Sequence, residues 1–116
     1  MQALRGRLRE RGVKESRDLA WMRDRQRVAV AGLVVVRQRQ STATGTLSLL
    51  LEDEHGFINV IVPSQLVEPN ETVVKQAQFM LARGRVEREG SALRVLGAEF
   101  VKLQSAPLAH VSRDFH

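Results

Sequence analysis

One glycine constrains this chain more than any other residue. The stretch "RVAVAGLVVVRQRQ" (27–40) is long and rich in β-branched residues, with Gly32 in its middle. β-Branched side chains favour extended backbone, and a glycine inside a strand marks a bulge or sharp bend. A strand bent in mid-course can serve two sheets at once.

The segments that follow repeat the strand period. "TLSLLLE" (46–52) places Leu47, Leu49 and Leu51 on one face, and "FINVIV" (57–62) does the same with Ile58, Val60 and Val62. "STATG" (41–45) is a loop and "DEHG" (53–56) a turn, by their Gly, Ser, Thr and Asp content. "PSQLVEPNETVVKQA" (63–77) reads as one helical connection broken by Pro69. "QFMLARGRVERE" (78–89) and "SALRVLGAEFVKL" (91–103) are two further strands turned at Gly90. Five strands with a helical segment between the third and fourth describe a mainly β protein, the OB-fold barrel. An SH3-like barrel also has five strands but no helix at that point, and ranks second.

The charge is uneven. Residues 1–27 hold nine Arg or Lys against four acids, while residues 28–116 hold nine of each. The expected division is a basic helical leader (1–26), the barrel (27–104) and a C-terminal tail (105–116). Leu4 and Leu8 sit four apart in a short helix ending near Gly12, and Ser16 is the N-cap candidate of a second helical turn. Trp21, the one tryptophan, is expected to anchor this leader on the barrel. Phe79 and Phe100 are expected in the core.

Several function classes drop out. "VAVAGLVVV" (28–36) is half the length of a membrane span and is flanked by arginines, so no membrane partner is expected. The charged N-terminal stretch argues against a secretory signal. The chain has no cysteine, hence no disulfide, thiolate metal site or thiol nucleophile; a cytoplasmic setting suits that. Glu52, Asp53, Glu54 and His55 are the one concentration of acids with a histidine. Adjacent strand residues point to opposite sides, and His110 and His116 lie far off in the tail. A turn is therefore expected there and no metal or cofactor. No nucleophile–base arrangement or phosphate loop is present, so no catalytic residues are expected and the chain is not read as an enzyme by itself.

OB barrels bind ligands across their second and third strands, flanked by the loops after the first and fourth. Alternation turns Phe57 and Asn59 outward on the third strand, and Arg83 and Arg85 outward on the fourth. Arg37, Gln38 and Arg39 end the first strand beside the loop. Guanidinium groups pair with phosphates and a phenyl ring stacks on bases. These seven residues are the candidate nucleic-acid contacts, with single-stranded DNA as the expected partner. With aromatics at 4% of the chain, a platform stacking many bases is not available.

"QRVAVAGLVVVRQRQSTATGTLSLLLEDEHGFINVIV", "GRVEREGSALRVLGAEFVKL" and the ending "SRDFH" (112–116) resemble the C-terminal OB domain of bacterial error-prone DNA polymerases, relatives of the DNA polymerase III alpha subunit. The resemblance implies a non-catalytic module, near the single-stranded template, of a polymerase active in DNA-damage-induced mutagenic synthesis. Its catalytic carboxylates would lie in a palm region with no counterpart here. By motif, Arg37, Gln38, Arg39, Asn59, Arg83 and Arg85 carry over as contacts. The sequence departs from the family pattern at Ser48, where a bulky residue is usual, and at "VPSQ" (62–65), where the family has "VWPD". The alternative is a module docking accessory proteins of the translesion machinery, with "LAHVSRDFH" (108–116) as an accessible tail. Anticodon binding rests on the shared barrel alone.

Overall fold

The computed structural model describes residues 12–39 and 45–104. Strand β1 is Val13–Lys14, and a 3-10 helix over Ser16–Trp21 leads into β2, Arg27–Arg39. β2 has two antiparallel partners. Its first half, Arg27 to Leu33, pairs with β5 (Phe79–Glu89), and its second half, Leu33 to Arg39, with β3 (Leu47–Asp53). The exchange falls at Leu33, directly after Gly32. A Cβ on Gly32 would stand 2.6 Å from the Glu52 carbonyl oxygen, so the two-sheet bend demands a residue without a side chain. The bend read from the sequence is borne out, and its cause is this close backbone approach.

β3 turns into β4 (Gly56–Val62), which runs parallel to β6 (Ala92–Leu103). β6 pairs antiparallel with β5, and β5 with β2, which closes a five-stranded barrel. Between β4 and β5 lie two short helices, α1 (Ser64–Val67) and α2 (Glu71–Gln76), interrupted at Pro69 as expected. The fold is the mainly β OB barrel. Leu47, Leu49, Leu51, Ile58, Val60 and Val62 are buried in register, and Val74 and Ala77 fill the core from the helical side. Phe100 joins that core, whereas Phe79 is half-buried. No helix among the described residues is long and apolar enough to cross a membrane.

The leader departs from expectation in three ways. Its first expected helix, ending near Gly12, lies in residues outside the described ones, and residues 13–14 form a strand where none was expected. β1 pairs parallel with β2 at Ala29 and Val30, and Val13 packs with Ala31 and Leu81 in a small second core. Glu15, not Ser16, is the N-cap of the 3-10 helix, and its N–H donates to the Asp18 carboxylate at 2.9 Å. Ser16 instead reaches the barrel. Its N–H and Oγ donate to the two Asp53 carboxylate oxygens at 2.6 and 2.7 Å.

Third, Trp21 is not the anchor, being 88% exposed. A 3-10 helix has three residues per turn, so Leu19 and Met22 stack on one face and enter the core, while Trp21 falls outside it. The Arg88 guanidinium fixes the turn by donating to the carbonyls of Leu19, Ala20 and Met22 at 3.2–3.4 Å. Trp21→Ala is therefore expected to change stability by less than about 0.5 kcal/mol, as at an ordinary surface position. Chemical denaturation checks this, and a loss of several kcal/mol would restore the anchor role.

Candidate nucleic-acid interface

The outward face of β2, β3 and β4 is set by register. Gln38 stands opposite Ser48, and Ser48 opposite Ile61; Val36 faces Leu50, and Leu50 faces Asn59; Glu52 faces Phe57. Ser48 Oγ donates to Asn59 Oδ1 at 2.9 Å, which leaves the Asn59 amide N–H groups as donors toward a ligand. Phe57 is 60% exposed, near the start of β4, where its register partner is Glu52 of β3. Asn59 and Phe57 thus share one face, as the alternation predicted, and Gln38 joins them, with apolar Val36 and Leu50 between them.

The four arginines do not join them. A bulge between Val34 and Val36 inserts one residue and reverses the in–out alternation beyond it. Arg37 consequently stands opposite the buried Leu49 and turns inward. Its Nε donates to the Val74 carbonyl at 2.8 Å and its Nη2 to the Ala77 carbonyl. Burial lowers the pKa of this guanidinium from its ordinary value. Arg37 therefore ties the C-terminal end of α2 to β2 and turns away from the Phe57 face. Arg39, exposed at the end of β2, borders a notch of ≈ 280 Å³ with Glu68, Glu71 and Lys75.

Arg83 and Arg85 are exposed, as expected, but on β5, whose neighbours are β2 and β6. Arg85 faces Leu96, and Leu96 faces Ile61, so these arginines lie two strands from β4, and on β2 they adjoin the Arg27–Leu33 half and not the half that carries Val36 and Gln38. The expected single strip is in fact two separate surfaces.

The acid corner is a turn with a second duty. Asp53, 3% exposed, accepts at Oδ1 from the His55 and Gly56 N–H groups at 2.8 and 3.0 Å, besides its two bonds from Ser16. Nothing in the spacing of these residues signals what else converges there. Glu15, buried in the leader, places Oε1 3.3 Å from His55 Nε2 and 3.1 Å from Arg17 Nε. Glu15, Glu54 and His55 offer ligand atoms within 4.8 Å of one another, a set that could hold a divalent cation. With Arg17 and His55 already against Glu15, the arrangement also serves as a polar clasp between leader and hairpin.

No protein-family profile matches the chain. The error-prone DNA polymerase of Anaeromyxobacter sp. (strain K) is 44% identical over 105 residues, covering 90% of this chain and 9% of that protein. The error-prone DNA polymerase of Pseudomonas fluorescens (strain Pf0-1) is 40% identical over 117 residues, covering 97% of this chain and 11% of that protein. The chain thus spans about a tenth of the length of the curated relatives it matches. Among solved structures, RecG bound to a three-way DNA junction superposes with a TM-score of 0.63 at 17% identity, over 82% of this chain and 13% of that one. Asparaginyl-tRNA synthetase from Pyrococcus horikoshii, complexed with asparaginyl-adenylate, gives 0.60 at 20% identity, over 72% and 20%. These two likenesses show the fold alone.

Proposed function

Because the chain is homologous to one domain of the error-prone DNA polymerases, we propose that it is their non-catalytic nucleic-acid-binding module, holding single-stranded DNA across the β2–β3–β4 face during damage-induced synthesis. The observation that carries this reading is Phe57, an aromatic residue left 60% exposed on β4, on the same face as the Asn59 donors and Gln38. A base stacks on the ring, and the amides meet base edges or sugar. One ring and few donors give weak, sequence-tolerant binding, since every base offers a π-face.

A labelled oligo-dT titrated by anisotropy tests this. F57A/N59A is expected to weaken binding at least tenfold, consistent with about 1–3 kcal/mol per stacked base. Unchanged affinity in that variant would remove the face from the account.

The docking of an accessory protein has its own support in Trp21. A tryptophan displayed on a turn clamped by Arg88 suits an interface anchor, a role in which this residue is enriched. The tail that the sequence also suggested for docking lies outside the described residues.

A further inference from the structure

β2 and β5 place Arg27 directly opposite Arg85. Like charges facing each other across a strand pair are destabilising, yet no acid among the described residues forms an ion pair with Arg27, Arg83 or Arg85. All three are exposed and line one groove of ≈ 690 Å³, in which Glu99 is the only acid. Gly84 and Gly97 contribute to the groove's lining, so backbone lies open between the guanidinium groups. Beyond Arg85 and Leu96, which the two share, an adjoining groove of ≈ 570 Å³ continues the path past Arg25. There Arg94 is taken up by Glu87 at 2.8 Å and Arg88 by the carbonyls of the leader turn. Arg25 has φ +70°, a left-handed conformation that costs a non-glycine residue energy, and its N–H is held by the Val86 carbonyl at 2.6 Å.

We propose that the Arg27–Arg83–Arg85 groove, extended by Arg25, is a second nucleic-acid site, one that takes the phosphodiester backbone by charge alone. No aromatic residue lines either groove, so bases have nothing to stack on. Guanidinium groups pair with phosphate oxygens in a bidentate fashion, and a phosphate chain would relieve the repulsion built into the Arg27–Arg85 pair. The site rests on the reading of the chain as a nucleic-acid-binding module but not on the Phe57 face, which uses the other half of β2 together with β3 and β4.

A wholly abasic oligodeoxyribonucleotide, a sugar–phosphate chain without bases, separates the two surfaces. The 116-residue chain should bind it at low salt. R27A/R83A/R85A should lower that affinity at least tenfold and reduce the log–log salt slope by about 2, at ~0.7 per single-strand phosphate contact. F57A/N59A should leave abasic binding unchanged while weakening oligo-dT. R27K/R83K/R85K, which keeps the charge but not the fork, should retain the slope. The denaturation midpoint of the alanine variant should equal or exceed that of the parent, since like charges have been removed. The proposal is overturned if the abasic chain does not bind, if the alanine variant binds it as the parent does, or if that variant's midpoint falls well below the parent's. A failure of abasic binding while F57A/N59A still weakens oligo-dT sinks the groove and spares the face.

Discussion

Gly84→Ala is expected to lower barrel stability by at least about 3 kcal/mol, the upper end of the cost of overfilling a packed site. Gly84 follows a bulge in the β5–β6 ladder, and there a Cβ would stand 1.9 Å from the Leu96 carbonyl oxygen. That atom is backbone in the central ladder, so relief requires the strands to part. Gly90→Ala is the matched control. Gly90 also turns the chain, at φ +63°, but a Cβ there meets nothing within 4 Å. Only conformational strain remains, about 1 kcal/mol. Chemical denaturation of both variants makes the comparison, and equal midpoints would disprove the close contact between β5 and β6.

The second large effect is expected at Asp53. Asp53→Ala removes a buried acceptor of four hydrogen bonds, and bonds to a charged group contribute about 1.5–3 kcal/mol each, less than additively in one network. A loss of about 3–4 kcal/mol is expected. Asp53→Asn divides the two duties. Its carbonyl oxygen can still accept from the His55 and Gly56 N–H groups and from Ser16 Oγ, but its NH2 now faces the Ser16 N–H, a donor against a donor. Asn should therefore keep the hairpin and loosen the leader. Hydrogen exchange at the amides of Ala29 and Val30 in β2, the register partners of Val13 and Lys14 in β1, would show this as faster exchange. Protection equal to the parent's in the Asn variant would mean that Ser16 does not hold the leader.

What was legible in the sequence follows from where the two-residue period survives. Along β3 and β4 it is unbroken, so Leu47 to Leu51 and Ile58 to Val62 announced their inward faces, and Phe57 and Asn59 their outward ones. Along β2 the bulge at Val35 resets the period, and nothing in "LVVVRQR" marks which valine is the extra one. Arg37, expected among the ligand contacts, turns inward for that reason. Arg83 and Arg85 were correctly outward, but outward on a closed barrel is every direction, and only the strand order separates one face from another. The clasp at Glu15, Ser16 and Asp53 joins residues nearly forty positions apart, a separation at which neither period nor spacing carries information. Trp21 was misjudged because a large apolar residue is ordinarily an inward one, whereas the three-residue turn hands the inward places to Leu19 and Met22.

The exposure of Trp21 decides what light can report about this molecule. As the one tryptophan of the chain, with no tyrosine beside it, it supplies nearly all of the near-ultraviolet emission. Its ring already stands in water, so unfolding the barrel hardly alters its surroundings, and emission wavelength is a poor gauge of folding. The same exposure makes it a sensitive gauge of contact, because any partner that covers the ring shields it from collisional quenchers such as iodide or acrylamide. Quenching by a neutral and a charged probe would therefore register a partner at the leader turn without any label, while ligands confined to the barrel face or the arginine groove would leave the signal dark to their presence.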